Sequence, residues 1–207
     1  MNKIYIQYGC GFQAPKTWKN YDASPTLLFE KIPFLGKLFK KNSQLFPANV
    51  MWGNIVKGLP IRENTVDGIF CSHVLEHLAL NDFKIALKNT YKYLKKGGIF
   101  RLIVPDLYAA IDAYNRDQTD MAAIRFMENT LLGTKDRYHG IYGLIKALFG
   151  NSNHLWMWDE KSLRNELMNI GFKEIRRSSL GDSIDPTFNE VERPDRFKDA
   201  VALEMKK

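Results

Sequence analysis

The chain has 207 residues, is 45% hydrophobic and 26% charged, and carries a formal net charge of +7. That length suits one α/β domain with a sizeable core, or at most two small ones, and the composition excludes a disordered or fibrous chain. No apolar run approaches the ~20 residues of a transmembrane helix, and Met1–Ile6 is expected to be a first strand rather than a leader.

Cys10 and Cys71 sit at apolar strand ends, so a reducing, cytoplasmic setting is expected, with no disulfide framework. The basic residues are dispersed. Their densest groups are Lys37-Lys40-Lys41, Lys92-Lys95-Lys96 and Arg176-Arg177. Solvated faces account for these better than a nucleic-acid surface does.

In chain order, Ile4–Tyr8 is a continuous apolar run of the kind buried on both faces of a parallel sheet. Trp18–Tyr21 is a weaker second strand, followed by Val50–Trp52, Val66–Cys71 and Ile99–Val104. Between the last two lies Asn81–Lys96, where Phe83, Leu87, Tyr91 and Leu94 recur at helical spacing; Asn81 can cap its start and Gly97-Gly98 can end it. Strand, helix, strand is a βαβ unit and predicts a parallel sheet. Helices are expected over Asp106–Asn115, Thr119–Leu132 and Asp159–Ile170, the last capped by Asp159 and stopped by Gly171. Strands at Phe172–Ser178 and Ala200–Met205 close a single domain spanning 1–207.

Ligands in parallel α/β sheets bind beyond the carboxyl ends of the strands. Gly9 and Gly11 follow the first strand at that edge, and Asp22 ends the second, where a carboxylate can accept from both hydroxyls of a ribose. A dinucleotide would need a third glycine opening a helix, for its pyrophosphate. Here Ala14 stands in that place, and Phe12–Thr17 is too short for a helix. A nucleoside cofactor without phosphates fits better.

Gln7-Tyr8-Gly9-Cys10-Gly11, Asp22, Gly53-Asn54, Leu59-Pro60, the block running from Val66 through "CSHVLEHL" to Leu78, and Tyr93–Phe100 together resemble the class I S-adenosylmethionine-dependent methyltransferases, in the branch that includes quinone-biosynthesis enzymes. The resemblance covers residues 3–105. It implies a Rossmann-like, seven-stranded, mostly parallel sheet with its last strand antiparallel, and S-adenosyl-L-methionine as cofactor. It implies that Gln7, Gly9 and Gly11 lie on the methionine side, Asp22 on the ribose, Asn54 and Ile55 on the adenine side, and Ser72 and His73 between cofactor and acceptor. The chain departs from the family's pattern at Gln7, where an acid is common, at Gln13, where a third glycine is common, and in having no room for the helix between the first two strands.

Methylation of an oxygen usually needs a base near neutrality, which suggests histidine. Of the four histidines, His73, His154 and His139 are the candidate catalytic groups. His77 reads more readily as a packed core histidine. His73 and His77 are four apart and could bind a metal, but the sequence places no third ligand in reach, so none is expected. Residues 133–158, with Tyr142, Trp156 and Trp158, are either a lid over the acceptor or aromatic packing under the Asp159 helix. Residues 32–46 are either a cover on the sheet or a weak membrane-surface patch, the cover being favoured. With no motif for exocyclic base amines or cytosine carbon, a small-molecule or saccharide-like acceptor is expected, and O-methylation. The alternatives are a non-catalytic binding protein on the same fold, supported by Gln7, Gln13 and the missing helix, and an RNA methyltransferase, supported by the net charge.

Overall fold

Seven strands make one sheet: β1 (Tyr5–Tyr8), β2 (Lys19–Asp22), β3 (Val50–Trp52), β4 (Val66–Ser72), β5 (Leu94–Pro105), β6 (Lys173–Arg177) and β7 (Ala200–Lys206). The computed structural model describes residues 3–32, 44–135 and 153–207. Strand order is β3-β2-β1-β4-β5-β7-β6. β1 to β5 pair in parallel, and β7 runs antiparallel to both β5 and β6. This is the expected sheet, with its reversal between β1 and β4 and no helix between β1 and β2. His139 lies outside the described residues, as do most of the expected cover at 32–46 and most of the 133–158 segment.

The first face is covered by α2 (Leu80–Tyr93) and α5 (Glu160–Ile170). Phe83 and Leu87 from the former and Leu163 and Leu167 from the latter meet Ile6, Ile69, Phe100, Leu102 and Leu203, all buried. α5 starts where expected, with the Asp159 carboxylate accepting from Ser162 N–H at 2.7 Å, and ends at Gly171 with φ 113°. α2 differs from expectation at both ends. Ala79, not Asn81, precedes its first residue, and it stops at Tyr93 rather than Lys96. Leu94 is already extended there, because it pairs with Val66 in the sheet. α1 (Pro25–Glu30), α3 (Leu107–Arg116) and α4 (Ala122–Asn129) complete the described helices. α1 is absent from the sequence reading, being short and marked only by Ser24, whose hydroxyl accepts from Thr26 N–H, and by Pro25 in its first turn.

The second face shows what replaces the missing helix. Phe188 is fully buried there, 5.4 Å from the Trp18 ring and 6.4 Å from Tyr5. Val191, Phe70 and Ile103 join the same cluster. The connection between β6 and β7, which reads as a polar loop, thus carries the apolar plug. Its two 3-10 turns, Pro186–Glu190 and Pro194–Arg196, aim Phe188 and Phe197 at the sheet. The 12–18 turn is tied down by polar groups instead. Gln7 donates to Gln13 O and to Asn20 Oδ1, both at 2.7 Å, and Asn20 donates to Pro15 O and Trp18 O.

Candidate active site

A cleft of about 360 Å³ opens at the carboxyl ends of β1, β2 and β4. Gly9, Asp22, Asn54, Ile55, His73 and His77 line it. Its volume is in the range of small-molecule sites, which run from about 300 to 1,000 Å³. Among the described residues its lining contains no lysine or arginine.

The glycine turn is held from below. Gly9 (φ 68°) and Gly11 (φ 54°) are left-handed. A Cβ on Gly9 would sit 2.1 Å from Val74 Cγ2, so only glycine lets the turn close on the residue after His73. At Gly11 a Cβ would meet open space, leaving its backbone accessible. Asp22 is 9% exposed, and its carboxylate accepts from Gly11 N–H at 2.9 Å and from Ser24 N–H at 2.8 Å. Each oxygen keeps a lone pair for a further donor. One acid therefore shapes the turn and faces the cleft.

Two expected contacts change character. Asn54 Oδ1 accepts from Val56 N–H at 2.8 Å and Lys57 N–H at 3.2 Å, so its carbonyl is committed to its own loop. The side chain would then meet an adenine through its amide N–H groups. Gln7 lines a smaller neighbouring pocket with Ser72, and its amide nitrogen is committed to the 12–18 turn. Ser72 Oγ is buried without a hydrogen-bond partner among the described residues. Both cysteine thiols are held protonated by their surroundings. Burial, then the nearby Asp22 carboxylate, push the Cys10 thiol up to about 12, and burial also raises Cys71.

His73 occupies a left-handed backbone conformation, φ 53°, at the end of β4, which is rare for a non-glycine residue. Its N–H donates to Ile103 O at 2.9 Å, and its ring Nε2 meets Arg196 O at 2.9 Å. A carbonyl can only accept, so Nε2 carries the proton and Nδ1 the lone pair. That Nδ1 is 3.5 Å from Glu76 Oε1. His77 has the same arrangement with roles exchanged. Its Nδ1 lies 3.0 Å from Asn153 O, and its Nε2 is 3.9 Å from Glu76 Oε1. His154 Nε2 is also 3.9 Å from that oxygen. Burial holds the His154 imidazolium below its usual range, partly offset by Glu76.

His77, which the sequence reading favoured as a packed core histidine, instead lines the cleft beside the buried Glu76, and a third group, His154, does lie in reach. The backbone brings it there. Leu155 and Trp156 both donate N–H to Glu76 O, at 2.8 and 3.1 Å, and His154 N–H reaches Leu131 O. Trp158 settles into the core, stacked on Phe83 at 4.3 Å, as ordinary packing would have it. Trp156 remains 41% exposed. The H-x-x-E-H spacing was the available signal for Glu76; His154 had none, being far away in sequence.

These groups fit a cationic nucleoside without phosphates: a buried carboxylate on a glycine turn, a lining with no lysine or arginine among the described residues, and an orphan hydroxyl at the strand end. Residues 20–102 match the family described as "Methyltransferase domain". No curated protein matches the chain. Among solved structures, a SAM-dependent methyltransferase from Archaeoglobus fulgidus is similar at 15% identity and TM-score 0.52, covering 99% of this chain and 86% of that one. A Thermotoga maritima protein described as a SAM-dependent methyltransferase, possible histamine N-methyltransferase, aligns at 15% identity and TM-score 0.53, over 100% and 83% of the two chains. PigF with SAH aligns at 14% identity and TM-score 0.51, over 99% and 50%. In its domain match over residues 20–102 and in its fold, this chain is similar to the class I S-adenosylmethionine-dependent methyltransferases.

Proposed function

We propose that the chain methylates an oxygen of a small or saccharide-like acceptor, with Gly9, Gly11, Asp22, Asn54, Ile55 and Ser72 on the cofactor and His73 or His154 as the base. The cofactor supplies an electrophilic methyl group on a sulfonium sulfur, and the acceptor oxygen bonds to that carbon as the carbon–sulfur bond breaks. What the chain must add is positioning, exclusion of water and a destination for the hydroxyl proton.

One observation carries this reading: His73, in its left-handed conformation, lines the same cleft as Gly9 and Asp22. Arg196 O fixes its tautomer, which leaves the Nδ1 lone pair on the Glu76 side, 3.5 Å from Oε1, where the carboxylate would stabilise the imidazolium formed when an acceptor hydroxyl in that gap gives up its proton. Trp156, whose backbone N–H donates to Glu76 O, is exposed, and an exposed indole is the kind of apolar surface on which a sugar ring stacks. That no lysine or arginine lines the cleft among the described residues supports an uncharged acceptor over a nucleic acid.

The test is methyl transfer to a panel of hydroxyl, amine and thiol acceptors, with saccharides among the hydroxyls, read by mass spectrometry. Hydroxyl acceptors should react. His73→Ala should slow turnover by about 10²- to 10⁴-fold while S-adenosylhomocysteine still binds. Transfer confined to amines or to RNA would remove the proposal.

A further inference from the structure

Glu76 is 1% exposed, and neither of its carboxylate oxygens has a hydrogen-bond partner among the described residues. A buried carboxylate normally accepts several hydrogen bonds or pairs with a cation, since an uncompensated one costs several kcal/mol even after relaxation. Around this one stand three imidazoles. Their nearest nitrogens lie 3.5, 3.9 and 3.9 Å from the same oxygen. Those distances are too long for hydrogen bonds.

The tautomers sharpen the point. With one ring nitrogen of His73 and of His77 donating to a backbone carbonyl, the nitrogen that each turns toward Glu76 is a lone pair in the neutral ring. Lone pairs facing a carboxylate repel it unless a cation lies between them. The carbonyl contacts are also the usual outer support of metal-binding histidines, which donate their second N–H to a carbonyl or carboxylate. Bond lengths of about 2.0–2.2 Å around a tetrahedral ion place neighbouring donors roughly 3.3–3.6 Å apart. The ligand atoms of Glu76, His77 and His154 all fall within 4.8 Å of one another, so small side-chain adjustments would close the set.

We propose that Glu76, His77 and His154 bind one first-row divalent cation of the zinc type, with His73 at its edge and an open coordination position facing the cleft. Two imidazoles and a carboxylate suit such an ion, whereas magnesium and calcium prefer all-oxygen sets. His77 lines the cleft, so the open position lies where an acceptor would enter. An oxygen of the acceptor takes that position. This last role rests on the hydroxyl-acceptor reading above; the binding of the ion does not.

The experiment is titration of the purified full chain, after chelator treatment, with Co²⁺ and then Zn²⁺. Co²⁺ should give the visible absorption of a tetrahedral N/O site, saturating at one ion per chain and displaced by Zn²⁺. His77→Ala and His154→Ala should each weaken binding by more than about 100-fold, beyond the 10–100-fold typical of a lost outer partner. Circular dichroism and retained S-adenosylhomocysteine binding show that each variant is folded. Glu76→Gln gives a third, near-isosteric check. Absence of stoichiometric binding, or Co²⁺ spectra unchanged in folded His77→Ala and His154→Ala, would overturn the site. If the ion binds but no hydroxyl acceptor is methylated, the site stands and the proposed function falls.

Discussion

Two buried charges, Arg101 on β5 and Glu76 just beyond β4, are treated in opposite ways. Arg101 is fully buried and saturated. It is paired with Glu192, donates to Glu204 Oε2 and Asp182 Oδ1 at 3.0 Å and to Ser179 O at 2.6 Å, and has Phe197 over its guanidinium. Glu76 is almost as deeply buried, yet among the described residues its carboxylate meets only imidazoles, at 3.5–3.9 Å. The first cluster closes on itself and fastens the β6–β7 connection to the sheet. The second opens onto a cleft. A charge that is fully partnered within the chain is structural, whereas one left without a partner beside a cavity is reserved for something that binds.

The contrast can be broken by removing each charge. Arg101→Met leaves Glu192 without its cation and Glu204 and Asp182 with Arg176 alone, and should cost about 3–5 kcal/mol of stability in urea unfolding. Next is Phe188→Ala. If the β6–β7 connection substitutes for the missing helix, the cavity left against Trp18 and Tyr5 should cost about 3 kcal/mol, with thermal unfolding as the readout.

An acid titration probes the same connection more gently. Burial raises the Asp185 carboxyl, but hydrogen bonds from Tyr5, Lys3 and Thr187 outweigh this and hold it down to about 2. A depressed carboxylate contributes stability that is fully present above its unfolded value near 3.8 and is lost as pH falls toward 2. Stability should therefore decline across that window. In Tyr5→Phe, which deletes the 2.6 Å hydrogen bond, the decline should be shallower.

Smallest of all is Glu76→Gln in metal-free protein. It should leave stability unchanged or raise it by about 1 kcal/mol, because the change removes a buried charge that has no hydrogen-bond partner among the described residues. A loss comparable to that of Arg101→Met would mean that Glu76, too, is structural.

Much of this was legible in the sequence, for identifiable reasons. The β4–α2–β5 unit announced itself through continuous apolar runs and a 3.6-residue period, and the short gap between Gly11 and Trp18 excluded a helix. Asp22 and the glycines were readable because strand ends and missing side chains leave a local mark. Phe188 was not, since a single aromatic in a polar connection gives no period. The convergence on Glu76 was half visible, as H-x-x-E-H. His154 arrives through backbone hydrogen bonds from Leu155 and Trp156 to Glu76 O, a long-range pairing that no local spacing encodes. The reversal of Asn54, whose carbonyl turns inward to cap its own loop, is likewise a matter of side-chain rotation that residue type leaves open.

The central claim is that the cleft between the Gly9–Gly11 turn and Asp22 holds the cofactor. Calorimetric titration of the full chain and of Asp22→Ala with S-adenosylhomocysteine tests it most directly. The account predicts one site per chain in the wild type. In the folded variant it predicts at least a tenfold loss of affinity, about 1.4 kcal/mol, the lower end of what a charge-assisted hydrogen bond contributes. No binding by the wild type, or equal affinity in a folded Asp22→Ala protein, would contradict it.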